Sequence, residues 1–329
     1  MAAEYRPPFE LNRKPLQELL PLNKPLALCI DTSDMCNFKC EFCFQSHMSF
    51  KGQVMSMELF NKIVEDMKQF DEPFKTVNLY NLGEPLINQN LSVFIKKIKE
   101  NNLAEVVQIT TNASLLTQQI SEEILSAGLD RITFSIYGLD DDSYNKFSSA
   151  QVSFYNIKKN IEYFYKIRED CKVHIKIAGN YFSEEQQRTF FELFGDMADS
   201  LYVDNAVNLW PELITVNGNE DNHIYGTLDV EKDRICPQPF YQMIIHSNGM
   251  VSPCCADYDK KVIVGDIRNE SLKDIWNGER YQKLRRDILQ NNLKEDTRCK
   301  KCKFPLFGST VDITPYREDL LKKYNNTWN

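Results

Sequence analysis

Ten cysteines are the residues of this 329-residue sequence whose type and spacing could do chemistry. They fall into two groups separated by nearly two hundred residues: Cys36, Cys40 and Cys43, then Cys236, Cys254, Cys255, Cys299 and Cys302. A single disulfide framework would not divide its cysteines in this way, and in a cytosolic protein clustered cysteines favour metal or redox chemistry. The sequence therefore predicts two metal sites in two domains, with Cys29 and Cys171 as buried or idle thiols.

The first group has CxxxCxxC spacing. Three thiolates can hold three irons of a cubane cluster and leave the fourth iron open to a substrate or cofactor. The alternative is zinc, because His47 follows Cys43 by four positions and would complete a Cys₃His site.

The second group offers four thiolates from Cys236, Cys254, Cys299 and Cys302, enough to saturate a second cluster. A Cys₄ zinc ribbon is the alternative, since CxxC pairs are common in zinc sites. Consecutive side chains on an extended strand point to opposite faces, so we expect one of Cys254 and Cys255 to bind, and favour Cys254.

Composition restricts the function classes. A net charge of −8 argues against a nucleic-acid or anionic-membrane surface. Apolar runs are much shorter than the roughly 20 residues of a membrane helix, and residues 1–6 lack a secretion-signal pattern. We expect a soluble cytoplasmic protein.

The elements that must position the cysteines begin after a proline-rich arm, residues 1–25, which we expect to be extended. Near-continuously apolar strands alternate with amphipathic helices, as in a parallel sheet covered by helices. The predicted strands are residues 26–31, 77–82, 106–110, 132–137, 173–178 and 201–209. Six βα units are fewer than the eight of a closed barrel, so the predicted fold is α/β, a partial (β/α)6 TIM-like barrel with chemistry at the carboxyl ends of its strands.

The last third has a different pattern. Residues 241–247 and 250–253 flank Asn248-Gly249, which predicts a hairpin with positive φ at both turn residues. Ser271 and Asp274 then predict the start of a helix that runs to about Leu289. The predicted domains are an arm (1–25), the barrel (26–210), a linker (211–235), a small hairpin-plus-helix metal domain (236–310) and a tail (311–329).

The motifs at the ends of four predicted strands together resemble those of the radical S-adenosylmethionine (AdoMet) superfamily. The cysteine loop with Phe42 resembles the family's CxxxCxφC signature, and Leu82-Gly83-Glu84-Pro85 resembles its GGEP segment with one glycine replaced. Residues 110–113 resemble the TNG segment, with Ala113 for glycine, and residues 135–138 resemble the SxxG segment. Residues 252–276, including Ser-Pro-Cys-Cys-Ala, resemble the SPASM/twitch auxiliary-cluster domain in its shortened, single-cluster form.

This resemblance implies a [4Fe-4S] cluster on Cys36, Cys40 and Cys43, whose open iron binds AdoMet and allows its cleavage to a 5′-deoxyadenosyl radical. It implies AdoMet contacts from Gly83, Glu84, Asn112 and Ser135, with Lys176 either pairing the AdoMet carboxylate or solvated. It also implies an auxiliary [4Fe-4S] cluster on the second group of cysteines. That cluster would accept an electron from a substrate radical.

The expected enzyme is thus a radical AdoMet oxidoreductase of dehydrogenase type. Its substrate would be a sugar, an aminocyclitol or another small molecule, and its electron donor a flavodoxin or ferredoxin. A peptide-modifying enzyme and a non-catalytic zinc protein are the alternatives. No catalytic role is assigned to any of the four histidines.

Overall fold

The structure is a computed structural model, which describes residues 4–5, 13–49, 51–207, 209, 234–295, 297–309 and 311–326. Its strands are β1 (Glu4–Tyr5), β2 (Ala27–Ile30), β3 (Phe74–Asn78), β4 (Ala104–Thr111), β5 (Arg131–Ile136), β6 (Lys172–Ala178), β7 (Ser200–Asp204), β8 (Gln242–Ile245), β9 (Met250–Ser252) and β10 (Gly265–Asp266). They form one sheet in the order β1-β7-β6-β5-β4-β3-β2-β8-β9-β10.

The helices of the barrel region are α1 (Leu16–Leu19), α2 (Phe44–His47), α3 (Met57–Met67), α4 (Leu91–Glu100), α5 (Gln118–Ser126), α6 (Asp141–Ser148), α7 (Phe154–Ile167) and α8 (Glu184–Phe194). Those of the last third are α9 (Gln238–Tyr241), α10 (Leu272–Asn277), α11 (Glu279–Leu289), α12 (Arg298–Lys301), α13 (Phe304–Phe307) and α14 (Arg317–Asn326). None of the described helices is long and apolar enough to cross a membrane.

Six parallel strands, β2 to β7, pair in chain order, and each pairs with the next. Helices between them bury apolar faces on one side of the sheet, where Phe60 and Phe94 stack with ring centroids 3.7 Å apart. The sheet does not close, because β7 pairs with β1 and β2 pairs with β8. The predicted partial barrel is therefore confirmed.

The barrel strands alternate in polarity, and the expectation of near-continuous apolar strands is wrong. In β5, Ile132, Phe134 and Ile136 lie in the apolar core, whereas the polar residues between them point to the opposite face. In the part of the chain that the structure describes, the helices between the strands pack against the outer face of the sheet. The inner face of the open barrel is free to carry polar side chains, as β5 and β6 do.

The hairpin of the last third continues the barrel sheet. Strand β8 pairs in parallel with β2, with Ile30 opposite Ile245, and the Asp31 amide donates to the Ile245 carbonyl at 2.8 Å. Met243 and Trp276 belong to the same apolar core as the barrel. The boundary predicted at 211–235 stays a prediction, since residues 211–233 lie outside the described residues.

Two local predictions in this region are wrong. Only Gly249 of the hairpin turn has a positive φ, +89°, and its amide donates to the His246 carbonyl, so the loop is longer than two residues. The predicted single helix from Ser271 is broken into α10 and α11 at Gly278, which is extended. A Cβ at Gly278 would lie 2.7 Å from the Asp274 carbonyl oxygen.

The proline-rich arm is not wholly extended. Pro15 precedes α1 at a position that needs no amide hydrogen, which the prediction overlooked. Leu16 and Leu20 are buried in a second apolar cluster that also contains Leu320 and Tyr324 of α14. Residues 6–12 of the arm lie outside the described residues.

Candidate functional site

The first cysteine loop leaves the carboxyl end of β2, as the sequence predicts. The four residues before it, Asp31 to Asp34, are at most 1% exposed. Backbone bonds tie the loop to the end of α6, because the Lys39 amide donates to the Ser148 carbonyl at 2.8 Å. Backbone hydrogen bonds therefore hold the loop between β2 and α6.

The structure brings the three predicted thiols together. Burial raises the pKa of the Cys36 thiol to about 11, and burial followed by the nearby Cys43 and Cys36 thiols raises the pKa of Cys40 further. Thiolates in such an environment need a positive partner, which a metal centre supplies. His47 is exposed, and its Nε2 lies 2.5 Å from the Glu41 carbonyl oxygen.

Gly83 lies directly against this loop. A Cβ at Gly83 would come within 2.4 Å of the Met35 carbonyl oxygen and 2.5 Å of the Ser33 carbonyl oxygen. The next amide, of Glu84, donates to the Met35 carbonyl at 2.9 Å. Only glycine allows this close approach of two backbones, so the cysteine loop and the β3 exit form one unit.

The Glu84 carboxylate is 2% exposed and accepts three hydrogen bonds within the protein. The donors are Thr111 Oγ1 at 2.7 Å, the Asn112 amide at 2.8 Å and the Leu86 amide at 3.0 Å. Burial raises its pKa to about 7 despite these bonds. Glu84 thus joins the ends of β3 and β4, and its predicted contact with AdoMet stays a prediction.

Asn112 connects the end of β4 to the cysteine loop. Its Nδ2 donates to Asn37 Oδ1 at 3.0 Å, and its Oδ1 accepts from Ser114 Oγ at 2.6 Å. Ala113, where the family pattern has glycine, adopts a positive φ of 60°. The predicted TNG-like segment therefore has the left-handed turn that its position requires.

The other predicted cofactor residues lie at the ends of neighbouring strands. Phe42 stacks on Tyr137 just beyond β5, with centroids 5.9 Å apart. Ser135 is 7% exposed and is the register partner of Lys176 on the inner face. Lys176 pairs with Asp204 at 2.8 Å, an ion pair that the sequence did not predict.

Strand alternation also places unforeseen polar residues on the inner face. Asn78 Nδ2 donates to Cys29 Sγ at 3.0 Å, Gln108 Nε2 donates to Asn78 Oδ1 at 2.5 Å, and Arg131 donates to Gln108 Oε1 at 3.2 Å. The period-2 pattern of β5 and β6 was the signal that could have identified this face. Four adjacent strands thus contribute a continuous polar row to the barrel interior.

The second group of cysteines surrounds a cavity of about 260 Å³. All four predicted ligands line it: Cys236, Cys254, Cys299 and Cys302. Two of their sulfurs accept backbone hydrogen bonds, Cys254 from the Ala256 amide and Cys302 from the Phe304 amide, both at 3.3 Å. Residues from 236 to 302 thus converge on one site.

Cys255 is not among the residues that line this cavity. Its sulfur instead lies 3.9 Å from Gln242 Nε2, at the start of β8. The Cys254 and Cys255 thiols nevertheless hydrogen-bond to each other, so the choice of Cys254 as the ligand stays a prediction.

A buried polar chain connects the two cysteine sites. His246 Nδ1 lies 2.8 Å from Asp31 Oδ2, its Nε2 lies 2.8 Å from Ser252 Oγ, and Ser252 donates to Asp257 at 3.0 Å. All four side chains are at most 4% exposed. The sequence predicted no role for His246, whose partners are up to 215 positions away in the chain. A second link is the ion pair of Lys260 with Asp34, 2.6 Å long.

Both sites fit iron–sulfur clusters in their donor chemistry. The first gathers three buried thiols in one loop, and the second gathers four around a cavity. Among the described residues, no group of three or more His, Cys, Asp or Glu side chains is placed around the position of a single metal ion.

Comparison with known proteins also separates the region of the first cysteine group from that of the second. A family model described as the radical SAM superfamily matches residues 30–192, and one described as an iron-sulfur cluster-binding domain, SPASM, matches residues 236–303. The resemblance seen in the motifs is thereby confirmed. AdoMet, a [4Fe-4S] cluster and auxiliary iron–sulfur binding follow from these two domains.

Two curated relatives are each 26% identical to this chain. One is a tungsten-containing aldehyde ferredoxin oxidoreductase cofactor-modifying protein of Pyrococcus furiosus, aligned over 77% of this chain and 81% of the relative. The other is a GTP 3′,8-cyclase of Staphylococcus aureus, aligned over 53% of this chain and 52% of the relative.

Solved structures share the fold at lower identity. SuiB of Streptococcus suis bound to S-adenosylmethionine has a TM-score of 0.66 at 18% identity, over 92% of this chain and 76% of that one. BtrN in complex with AdoMet and 2-DOIA has a TM-score of 0.55 at 17% identity, over 84% and 92%.

Proposed function

Because the chain belongs to the radical S-adenosylmethionine superfamily and carries a SPASM domain, we propose that it oxidises a polar small molecule by two electrons. The bound cofactors supply reductive cleavage of AdoMet and abstraction of a hydrogen atom from the substrate. The substrate loses this hydrogen atom, then one electron to the auxiliary cluster and one proton. A flavodoxin or ferredoxin in the reducing cytoplasm supplies the electron for AdoMet.

The convergence of Cys236, Cys254, Cys299 and Cys302 on one cavity carries this proposal. Four thiolates saturate a cubane, so no iron is left open for a substrate. A saturated cluster next to a radical site serves best as an electron acceptor. Oxidation of the substrate is the reaction outcome that needs a cluster able to accept an electron.

The protein's own residues position the reacting groups. Cys36, Cys40 and Cys43 would hold the first cluster, and Gly83 and Asn112 fix the loop that carries it. Phe42 and Tyr137 form an apolar wall at the strand ends, which excludes water from a reactive site.

The inner face of the barrel supports a small polar substrate. Arg131, Gln108 and the Lys176–Asp204 pair place donors and acceptors there. The Pyrococcus relative is named for modifying a cofactor, which also favours a small molecule over a peptide.

The test is anaerobic reconstitution with iron and sulfide, followed by dithionite and AdoMet. We expect about eight irons per chain, four for each cluster, and formation of 5′-deoxyadenosine. Cys40→Ala is the control that should lose cleavage, because two thiolates do not hold a cubane. About two zinc ions with negligible iron, or intact clusters without 5′-deoxyadenosine, would refute the proposal.

The substrate class is tested with two panels, polyols and aminocyclitols in one and cysteine- or serine-containing peptides in the other. A product lighter by two hydrogens in the first panel supports the proposal. The same change only in the second panel would assign a peptide-modifying activity instead.

A further inference from the structure

A basic groove crosses the surface of the C-terminal third. Its volume is about 740 Å³, and its walls come from residues 261–264, from α11, and from the segment 293–301. The cations that line it are Lys261, Arg280, Lys283, Lys294, Arg298 and Lys301, against one carboxylate, Asp287. The groove thus has a formal charge of +5 on a chain whose net charge is −8.

Carboxylates of the protein neutralise only part of this charge. Arg280 pairs with Glu270 and Lys283 with Asp287, both at 2.5 Å, and Arg298 pairs with Asp259. These pairs leave a charge of about +3, from Lys261, Lys294 and Lys301. Lys261, Lys294 and Lys301 are exposed, and none of them forms an ion pair with a carboxylate of the described residues. Their field extends into solvent, where it attracts an anionic partner.

The groove lies beside the second cysteine site. Arg298 and Cys299 line both the groove and the cavity that holds Cys236, Cys254 and Cys302. A molecule seated in the groove is separated from that cavity by this shared wall. The position is suited to exchange of an electron with a centre bound by Cys299.

We propose that this groove, lined by Lys261, Lys294 and Lys301, docks a small acidic electron-transfer protein of the flavodoxin or ferredoxin class. The inference rests on the proposed function, because it needs an auxiliary cluster at Cys299. The partner removes the one electron that the cluster received from the substrate, so the cluster returns to its oxidised state and the partner's cofactor is reduced by one electron. No bond is made or broken in this step.

Neutralisation of the cluster's own negative charge is the competing explanation for these cations. Arg298 and Lys301 on α12 are close enough in sequence to Cys299 for that role. Lys261 follows β9 and Lys294 follows α11, and neither lines the cavity, whereas Arg234, Lys300, Lys303 and Arg317 do. The walls of the groove therefore contain more positive charge than the cluster site uses.

The experiment uses the reconstituted full chain and an acidic flavodoxin as the probe. The groove variant is Lys261→Glu/Lys294→Glu/Lys301→Glu. The matched control is Lys96→Glu/Lys159→Glu/Lys166→Glu, three exposed lysines on α4 and α7, which takes the net charge to the same −14. Flavodoxin affinity is measured at low and high ionic strength, and electron transfer from the pre-reduced enzyme is followed by flavin absorbance.

We expect the groove variant to raise the flavodoxin Kd at least tenfold at low salt, with less than a twofold change in the control. The difference should disappear at high salt, as for screened charges. Equal effects of the two variants, or no effect of either, would overturn the docking surface. A changed potential of the auxiliary cluster with unchanged flavodoxin affinity would also overturn it, in favour of neutralisation.

Failure of the proposed function is recognised separately. Dithionite-driven formation of 5′-deoxyadenosine needs no protein partner and should be equal in the wild type and both variants. Loss of that activity from the wild type would refute the proposed function, while the affinity measurement would still decide the docking surface.

Discussion

Replacing His246 by leucine tests the buried chain that joins the two cysteine sites. The imidazole lies between Asp31 and Ser252 at 2.8 Å on each side, and all three side chains are fully buried. Leucine would leave the Asp31 carboxylate with one partner fewer and Ser252 without its imidazole contact. Leaving a buried hydrogen-bonding group short of a partner costs about 1–3 kcal/mol, and more for a charged group, so the two losses together come to about 3–5 kcal/mol.

The number of hydrogens in this chain strengthens the expectation. Three contacts link Asp31, His246, Ser252 and Asp257, and each needs a hydrogen. The serine hydroxyl supplies one of them, and the imidazole ring lies between the other two contacts. Leucine therefore removes a hydrogen-bonding partner from both Asp31 and Ser252.

The assay is urea unfolding of the anaerobic holoprotein, followed by far-ultraviolet circular dichroism. With a urea m-value of about 3–4 kcal/mol/M for a chain of this size, the midpoint should fall by about 1 M. His246→Gln, which keeps one donor and one acceptor, should recover part of the loss. His47→Leu is the matched control, because His47 is exposed, and should change the midpoint little.

An unchanged midpoint for His246→Leu, with both clusters loaded, would refute this reasoning. It would mean that the buried polar chain contributes no net stability, and that the β2–β8 pairing and the Lys260–Asp34 ion pair hold the two sites together.

Three further predictions follow from single contacts. Gly83→Ala should lower both the iron retained at the first site and the AdoMet affinity, because the alanine Cβ would collide with two backbone carbonyl oxygens. Gly195→Ala is the control and should change neither quantity, because a Cβ at that position has no atom within 4 Å. Although burial raises the pKa of Asp199, its bonds with Arg168 and a backbone amide hold that pKa below the ordinary value. The stability that the Asp199 carboxylate contributes should therefore be present above about pH 4 and be lost as the pH falls through the lowered pKa. On acidification, the urea midpoint of Asp199→Asn should fall less than that of the wild type. Cys299→Ala should retain AdoMet cleavage while product per 5′-deoxyadenosine falls, as measured by chromatography of both.

The sequence predicted the parts of the site that are local in the chain. CxxxCxxC spacing, the Gly83 turn and the segment at Asn112 each lie within a few residues of a strand end, so a linear pattern is enough to find them. Four of the five cysteines in the second group were expected to share one site, and those four line one cavity, while their role as cluster ligands stays a prediction.

The remaining features depend on contacts between distant segments. His246 binds Asp31 across 215 positions, and Lys176 binds Asp204 through the register of β6 and β7. No spacing rule brings such pairs together before the sheet order is known. Strand β8 was predicted as part of a separate hairpin, and nothing in its four residues indicated that it would pair with β2.

That pairing has a consequence for the order in which the chain matures. Strand β2 emerges from the ribosome more than two hundred residues before β8, the neighbour that covers its free edge. Until β8 is synthesised, the nascent barrel exposes an unpaired strand edge directly before its cysteine loop. Its apolar core is also incomplete, because the long-range contact between β2 and β8 has still to form. Cluster insertion at the first site is thus expected to be productive only after the C-terminal third is synthesised, and chaperone dependence should be greatest in that interval.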